Sequence, residues 1–142
     1  MGKPITTKNS AFQCFAFPDV CWTPPTTLAT PHGVPIPYPN IGQCSQALQA
    51  SGENGQKPVK AGGDAVIVKN STIPKTSGDE AGTLNGVTSN QPNMGKVEFT
   101  MSSQTVRVNG QGVVRLGDAT SQNSGNAHGF VLGGLPTVRV GD

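Results

Sequence analysis

The sequence is poor in charge, in aromatic side chains and in long apolar runs, and each shortage excludes a class of protein. Charged residues make up 13% of the 142 residues and aromatic residues 5%. The net charge is +2 with no basic cluster, so the electrostatic footprint of a nucleic-acid-binding protein is missing. No run of about 18 apolar residues occurs, so we expect no membrane-spanning helix. The first residues lack an apolar stretch, so we expect no secretory signal peptide.

Glycine and proline are abundant, with 19 and 12 copies respectively. They interrupt nearly every stretch long enough to form a helix, which argues against helix bundles and coiled coils. Disordered chains combine low hydrophobicity with high net charge, whereas this net charge is small and valine and isoleucine cluster in short runs. The composition therefore predicts a folded, turn-rich, all-β chain.

The segment Val34–Asn40 alternates proline with apolar or aromatic residues. Each proline fixes its own φ angle, removes an N–H donor and pushes the preceding residue to extended geometry. A strand of this kind can lie at the edge of a sheet or pack across a surface, but not in the middle of a sheet. We therefore expect a rigid, extended edge segment here.

Two stretches predict β-hairpins. Val59–Val68 reads as a strand, a glycine turn and a strand, and Thr105–Leu116 is centred on Asn109-Gly110, the strongest short-range hairpin signal. Val59–Gly82 aligns without a gap onto Val106–Gly129, and Thr137–Asp142 repeats part of the pattern a third time. Such units cannot each bury a face alone, so we expect hairpins that pack around a common axis.

Four motifs resemble the PAAR-like family of type VI secretion spike-tip proteins over residues 15–130. They are the runs 17–25, 34–40, 77–82 and 113–118. The resemblance implies a single domain over residues 1–142, with a polar lead-in at 1–14 and a small cone of β-hairpins at 15–142. It also implies a structural tip, one per trimer, that caps a trimeric valine–glycine-repeat spike and contacts the target membrane transiently. Such a tip sharpens the spike, carries effector toxins, and is cytoplasmic until the apparatus delivers it into the target.

The tip of that family is commonly organised by a zinc ion that three histidines and one cysteine hold. This sequence has two histidines and three cysteines, so the resemblance implies a set of two histidines and two cysteines. The predicted ligands are Cys21, His32, Cys44 and His128, with Cys14 as the alternative to Cys44. The spacing of these residues along the chain does not by itself support a metal site. The alternatives to metal binding are buried thiols or a Cys14–Cys21 disulfide for the cysteines, and solvated loop positions for the histidines.

The chemistry of an enzyme is missing from the sequence. Asp79 and Glu80 are adjacent in a loop, where side chains diverge, and no nucleophile or phosphate-loop motif occurs. The chain also stops directly after the repeat, so we expect no effector domain and no enzymatic activity. The alternative function is an adaptor that recruits a toxin or chaperone for secretion without puncturing a membrane. Arg107, Arg115 and Arg139 fall at like positions in the repeat units and are candidates for contacting the spike.

Overall fold

The computed structural model describes residues 2–24, 28, 31, 33–51 and 58–141. The all-β prediction is confirmed, since twelve strands and a single 3-10 turn at Cys44–Gln46 form the regular structure of these residues. The strands are β1 (Lys3–Ile5), β2 (Gln13–Thr23), β3 (Val34–Gln43), β4 (Lys60–Ala61), β5 (Asp64–Ala65), β6 (Thr72–Ile73), β7 (Val97–Phe99), β8 (Arg107–Val108), β9 (Gln111–Gly112), β10 (Ala119–Gln122), β11 (Ala127–Val131) and β12 (Leu135–Val140). Among the described residues, none belongs to a helix long and apolar enough to cross a bilayer.

Six strands form the main sheet, in the order β3-β2-β11-β10-β7-β6 with antiparallel neighbours. The long strands β2 and β3 pair from Gln13 opposite Gln43 to Thr23 opposite Val34, and the register shifts between Ala16 and Asp19. Side chains of β2 and β11 alternate between a buried and an exposed face, as expected for a sheet with one face on a core.

The proline-rich strand β3 lies at the edge of this sheet, as the sequence predicts. Pro35 lies opposite Trp22 and Pro37 opposite Val20, while the intervening residues pair with the other positions of β2. Because proline has no N–H to donate, alternate prolines suit a stretch of strand that has a partner on one side only. Beyond the prolines, Ile41 does bond a second partner, Ser77, on the outer side. The prolines also make β3 a poor template for a further strand.

Three two-stranded units, here called the arms, lie outside the main sheet. Arm 1 is β4 and β5, arm 2 is β8 and β9, and arm 3 is β12 with β1. The predicted glycine turns are confirmed, because Gly62 and Gly63 in arm 1 and Asn109 and Gly110 in arm 2 all have positive φ. Residues 3–5, expected to belong to a polar lead-in, instead form the strand that pairs with β12.

The apolar side chains form two buried clusters. One lies against the main sheet and contains Cys14, Cys44, Ala47, Ile67, Ile73, Val97, Phe99, Val114 and Val131. The other lies among the arms and contains Ile5, Val66, Val113 and Val140, with Ala61, Val108 and Leu135 packed against it. The fold therefore buries a sheet-backed core and a smaller core that the three arms share.

Candidate functional site

The arms lead into three short segments that close a triangular ring of backbone hydrogen bonds. These ring segments are residues 5–8, 66–69 and 113–116. The N–H of Thr6 donates to the carbonyl of Val114 at 2.9 Å, that of Val114 to Ile67 at 2.9 Å, and that of Ile67 to Thr6 at 3.1 Å. Each segment therefore donates to one neighbour and accepts from the other, which is the pattern of a three-fold axis.

A second set of three backbone hydrogen bonds joins the same ring segments, with each donor two residues further along the chain than in the first set. Its members are Lys8 N–H to Ala65, Lys69 N–H to Gly112 and Leu116 N–H to Pro4, each 2.9 Å long. Antiparallel bridges join Ile5 with Arg115, Thr7 with Val66, and Val68 with Val113. Each of these backbone hydrogen bonds and bridges thus has a counterpart in the other two ring segments, so the backbone of the ring has pseudo-three-fold symmetry.

The side chains of the arm core follow the same symmetry. Ile5, Val66 and Val113 begin the three ring segments and are buried together. Ala61, Val108 and Val140 come from matching positions in the three arms, opposite Asp64, Gln111 and Lys3 respectively. Because equivalent residues meet at the axis, the apolar repeat in the sequence explains why the arms gather there.

Arm 3 is the third repeat unit, made from both ends of the chain. In arm 2, Nη1 of Arg107 donates to the carbonyl of Gly110 at 3.3 Å. In arm 3, Nη1 of Arg139 donates to the carbonyl of Gly2 at 3.1 Å. Gly110 precedes Gln111 and Gly2 precedes Lys3, so the two hydrogen bonds occupy equivalent positions.

Arg115 does not share the position of the other two arginines, contrary to the sequence expectation. It lies in a ring segment, is buried, and forms a bidentate pair with Asp118 through Nε (3.0 Å) and Nη2 (2.9 Å). The equivalent of Arg107 and Arg139 in arm 1 is Lys60, which the register places opposite Ala65. The cationic series of the arms is therefore Lys60, Arg107 and Arg139.

A second candidate site is a buried polar cluster between β2 and the loop that follows β6. Asp19, Cys21 and Asp79 have no exposed surface, and one ligand-type atom from each lies within 4.8 Å of the others. The Cys21 thiol lies 3.7 Å from Oδ1 of Asp19 and 4.0 Å from Oδ2 of Asp79. Asp79, expected from the sequence to lie in a flexible loop, is fixed there by the Met94 N–H, which donates to both of its oxygens.

Three asparagines donate N–H groups to the Asp19 carboxylate. Nδ2 of Asn40 donates at 3.1 Å, Nδ2 of Asn123 donates to both oxygens at 3.0 Å, and Nδ2 of Asn126 donates to Oδ1. In each asparagine the side-chain Oδ1 accepts a hydrogen bond from another group, which fixes the amide so that Nδ2 faces Asp19. Gly95 N–H donates to Asn123, Thr88 and Ser89 N–H to Asn126, and the Gln122 amide to Asn40. Asp19 is thus surrounded by donors that cannot turn away without losing other hydrogen bonds.

The cluster shifts the protonation of its other two members. Burial, together with the hydrogen bond to Asp19 and its charge, raises the pKa of Asp79 to about 7. Burial and then the charges of Asp19 and Asp79 raise the pKa of the Cys21 thiol to about 12. The Cys21 sulfur is therefore a thiol rather than a thiolate in this arrangement, and Asp79 holds a proton up to about neutral pH.

The residue types of the cluster can be compared with the needs of zinc, which takes thiolate, imidazole and carboxylate ligands. Cys21 and Asp79 fit better, because their donor atoms lie close together and the Asp79 oxygens accept from two N–H-bearing groups, Met94 and Asn40. Asp19 does not fit, because three asparagine amides already donate to its two oxygens. Asp79 is a partner of Cys21 that the sequence did not predict, since the two are far apart in the chain.

The structure brings Cys21 beside ligand-type side chains but does not bring Cys44 or His128 to it. Cys44 is buried in the apolar cluster next to Cys14, and the hydrogen bond between their thiols, followed by burial, raises the pKa of Cys14 well above its usual range. Cys14 lies seven residues before Cys21 on β2, about 20 Å away at the rise of a strand. His128 is exposed on β11 opposite Ser121. His32 lies outside the described residues, so the four-ligand set stays a prediction.

Comparison with known proteins supplies the family context. A family model described as the toxin PAAR-like domain matches residues 12–129. The DNase toxin Tse7 of Pseudomonas aeruginosa is 41% identical over 111 residues, which are 76% of this chain and 27% of that protein. The chain thus spans about a quarter of the length of this curated relative. No solved structure matches the chain.

Proposed function

Because the chain belongs to the toxin PAAR-like domain family, we propose that it caps a trimeric valine–glycine-repeat spike of a type VI secretion system. As the tip, it sharpens the spike for membrane puncture and leaves the cell with it, as part of a secreted effector. The observation that carries the proposal is the triangular ring of residues 5–8, 66–69 and 113–116, closed by two rounds of backbone hydrogen bonds.

A ring of this symmetry allows one chain to make similar contacts with three identical subunits. The end of a trimer presents three identical surfaces around its axis, and a monomer with one binding face would satisfy them unequally. A single chain with three equivalent sides makes similar contacts with all three subunits. The pseudo-three-fold arrangement therefore supports a stoichiometry of one chain per trimer.

The stoichiometry is tested by mixing the purified chain with a purified valine–glycine-repeat spike trimer from the same organism. Size-exclusion chromatography with light scattering then gives the mass of the complex. We expect the mass of one chain plus one trimer. A complex of three chains per trimer, or no complex, would contradict the proposal.

A pair of glycine variants links that binding to the arms. Gly110, in the turn of arm 2, has φ +83° and no atom within 4 Å of an added Cβ, so Gly110→Val strains the turn without a clash. Gly125→Val is the matched control, because Gly125 has φ +92° but lies in the turn between β10 and β11. We expect the first variant to bind the trimer about tenfold more weakly and the control to bind normally.

The adaptor function predicted as the alternative is tested by the same chromatography with a toxin or chaperone in place of the spike trimer. A chain that binds a toxin or chaperone with the spike trimer absent, and does not bind the trimer, would be an adaptor. The DNase activity belongs to the relative by its description, and that protein is much longer than this chain. The absence of enzymatic activity from this chain stays a prediction, checked by incubation with plasmid DNA and a divalent cation.

We also propose that the chain binds one zinc ion, with Cys21 as a ligand. Cys21 belongs to the predicted ligand set, and the structure places it beside Asp79. A zinc ion held there would supply a structural cross-link rather than catalytic chemistry. Elemental analysis tests this, with Cys21→Ser as the variant and Cys14→Ser as the control. About one zinc per chain that is lost in the first variant and kept in the second supports the site, and a zinc-free wild-type chain overturns it.

A further inference from the structure

We infer that Lys60, Arg107 and Arg139 form a three-point cationic contact for acidic side chains, one carboxylate from each subunit of a three-fold symmetric partner. The inference rests on the proposed function and deepens it, because it states the chemistry that the partner must present. The three residues occupy one register position in each arm: Lys60 lies opposite Ala65, Arg107 opposite Gly112 and Arg139 opposite Pro4.

The neighbours of the three cations repeat as well. Each cation follows an exposed valine in the chain, and the exposed fractions of these valines are alike: 43% for Val59, 36% for Val106 and 38% for Val138. Each cation also precedes a residue of the shared arm core, namely Ala61, Val108 or Val140. The arms therefore present the same pair, an apolar side chain followed by a cation, around a common axis.

All three cations are exposed and available to a partner. Among the described residues, the ion pairs are Lys96 with Glu98 and Arg115 with Asp118, and neither involves the arms. The Arg107 and Arg139 guanidinium groups each donate one N–H to the carbonyl at their own turn, which limits their rotation and leaves other N–H groups to donate outward. Asp64 is a carboxylate of arm 1, but its register partner is Ala61 rather than Lys60.

Charge complementarity selects the occupant of this surface. Three cations around a three-fold axis match three equivalent anions, and a trimer supplies these whenever one acidic residue per subunit faces its end. Guanidinium groups suit carboxylates because the two form parallel N–H···O hydrogen bonds. Successive side chains of a strand point to opposite faces, so the cations and not the valines before them define the contact, and the partner face carries an acidic ring.

Charge reversal tests the inference on the full chain. Lys60→Glu, Arg107→Glu, Arg139→Glu and the triple variant are compared with Lys75→Glu, an exposed lysine outside the arms. Binding to the purified spike trimer is followed by biolayer interferometry at 50, 150 and 500 mM NaCl. We expect each single reversal to weaken binding about fivefold, mainly through the association rate, and the triple reversal to weaken it about 100-fold. Lys75→Glu should bind like wild type.

The salt dependence provides a second readout that a purely structural role would not change. Wild-type binding should weaken as salt rises, whereas the weak binding of the triple variant should not. Wild-type binding at one chain per trimer with unaffected arm variants overturns this inference and leaves the proposed function intact. Failure of the wild-type chain to bind the trimer removes the proposed function itself. Thermal unfolding of the triple variant near the wild-type temperature confirms that binding, not folding, is being measured.

Discussion

Replacing Asn126 by aspartate tests whether the donors around Asp19 hold the buried cluster together. The change keeps the size of the side chain and the oxygen that accepts from Thr88 and Ser89. It removes the N–H groups that donate to Asp19 and to the carbonyl of Val20, and places a second carboxylate against the first. A lost hydrogen bond to a buried charged group costs about 1.5–3 kcal/mol and one to a neutral group about 1 kcal/mol.

The two losses and the repulsion together predict a destabilisation of about 3–5 kcal/mol at pH 8. For a chain of this size that corresponds to a melting temperature lower by roughly 10–15 °C. Since one of two adjacent carboxylates resists ionisation, the pKa of the introduced carboxyl group is raised, and the destabilisation should shrink as the pH falls toward 5. Thermal and urea unfolding at both pH values measure the effect. Asn70→Asp, at an exposed position, is the control. Equal stability of the two variants at pH 8 would refute the reasoning.

Two further predictions concern Asp79 in the buried cluster and Gly129 in β11. The pKa of Asp79 is raised to about 7, so the folded chain binds more protons than the unfolded chain between about pH 4 and 7. Stability should therefore fall as the pH rises through this window, by up to about 1.4 kcal/mol per pH unit, and Asp79→Asn should flatten the slope in urea titrations with chelator present. A variant slope equal to that of wild type would contradict the assignment. Gly129→Ala adds a Cβ that overlaps the carbonyl oxygen of Phe15, so we expect a loss of about 3 kcal/mol, whereas Gly141→Ala, with open space around its Cβ, should unfold like wild type.

Local signals in the sequence were sufficient for the arms and the edge strand. Asn109-Gly110 specifies a turn with two positive φ angles, and alternate prolines in β3 leave few donors for a second partner. The repeat between the stretches that begin at Val59 and Val106 predicts equivalent hairpins, and the structure confirms them. These features depend on backbone geometry within about ten residues, which is the range over which a sequence specifies conformation most directly.

The polar cluster and the third arm could not be predicted from local sequence signals. Asp19 and Asn126 are 107 residues apart, and polar residues in loops rich in asparagine and glycine ordinarily face solvent. Lys3–Ile5 is too short and too polar to show an alternating pattern, and its strand forms because β12 pairs with it from the other end of the chain. The zinc prediction was drawn from the family resemblance and the histidines and cysteines present, and neither reveals that Cys44 packs beside Cys14, seven residues along β2 from Cys21.

The pairing of Lys3 with Val140 places the two ends of the described chain side by side in one arm. Polypeptide that continues past either end departs from the same corner of the triangle, so cargo fused at the front and cargo fused at the back would start from nearly the same point. Joining the ends through a tight turn and opening the chain at Gly62-Gly63 would give a circular permutant in which arm 3 becomes continuous and arm 1 becomes split. Since the three arms are equivalent in register, the reordered gene product should recover the same fold.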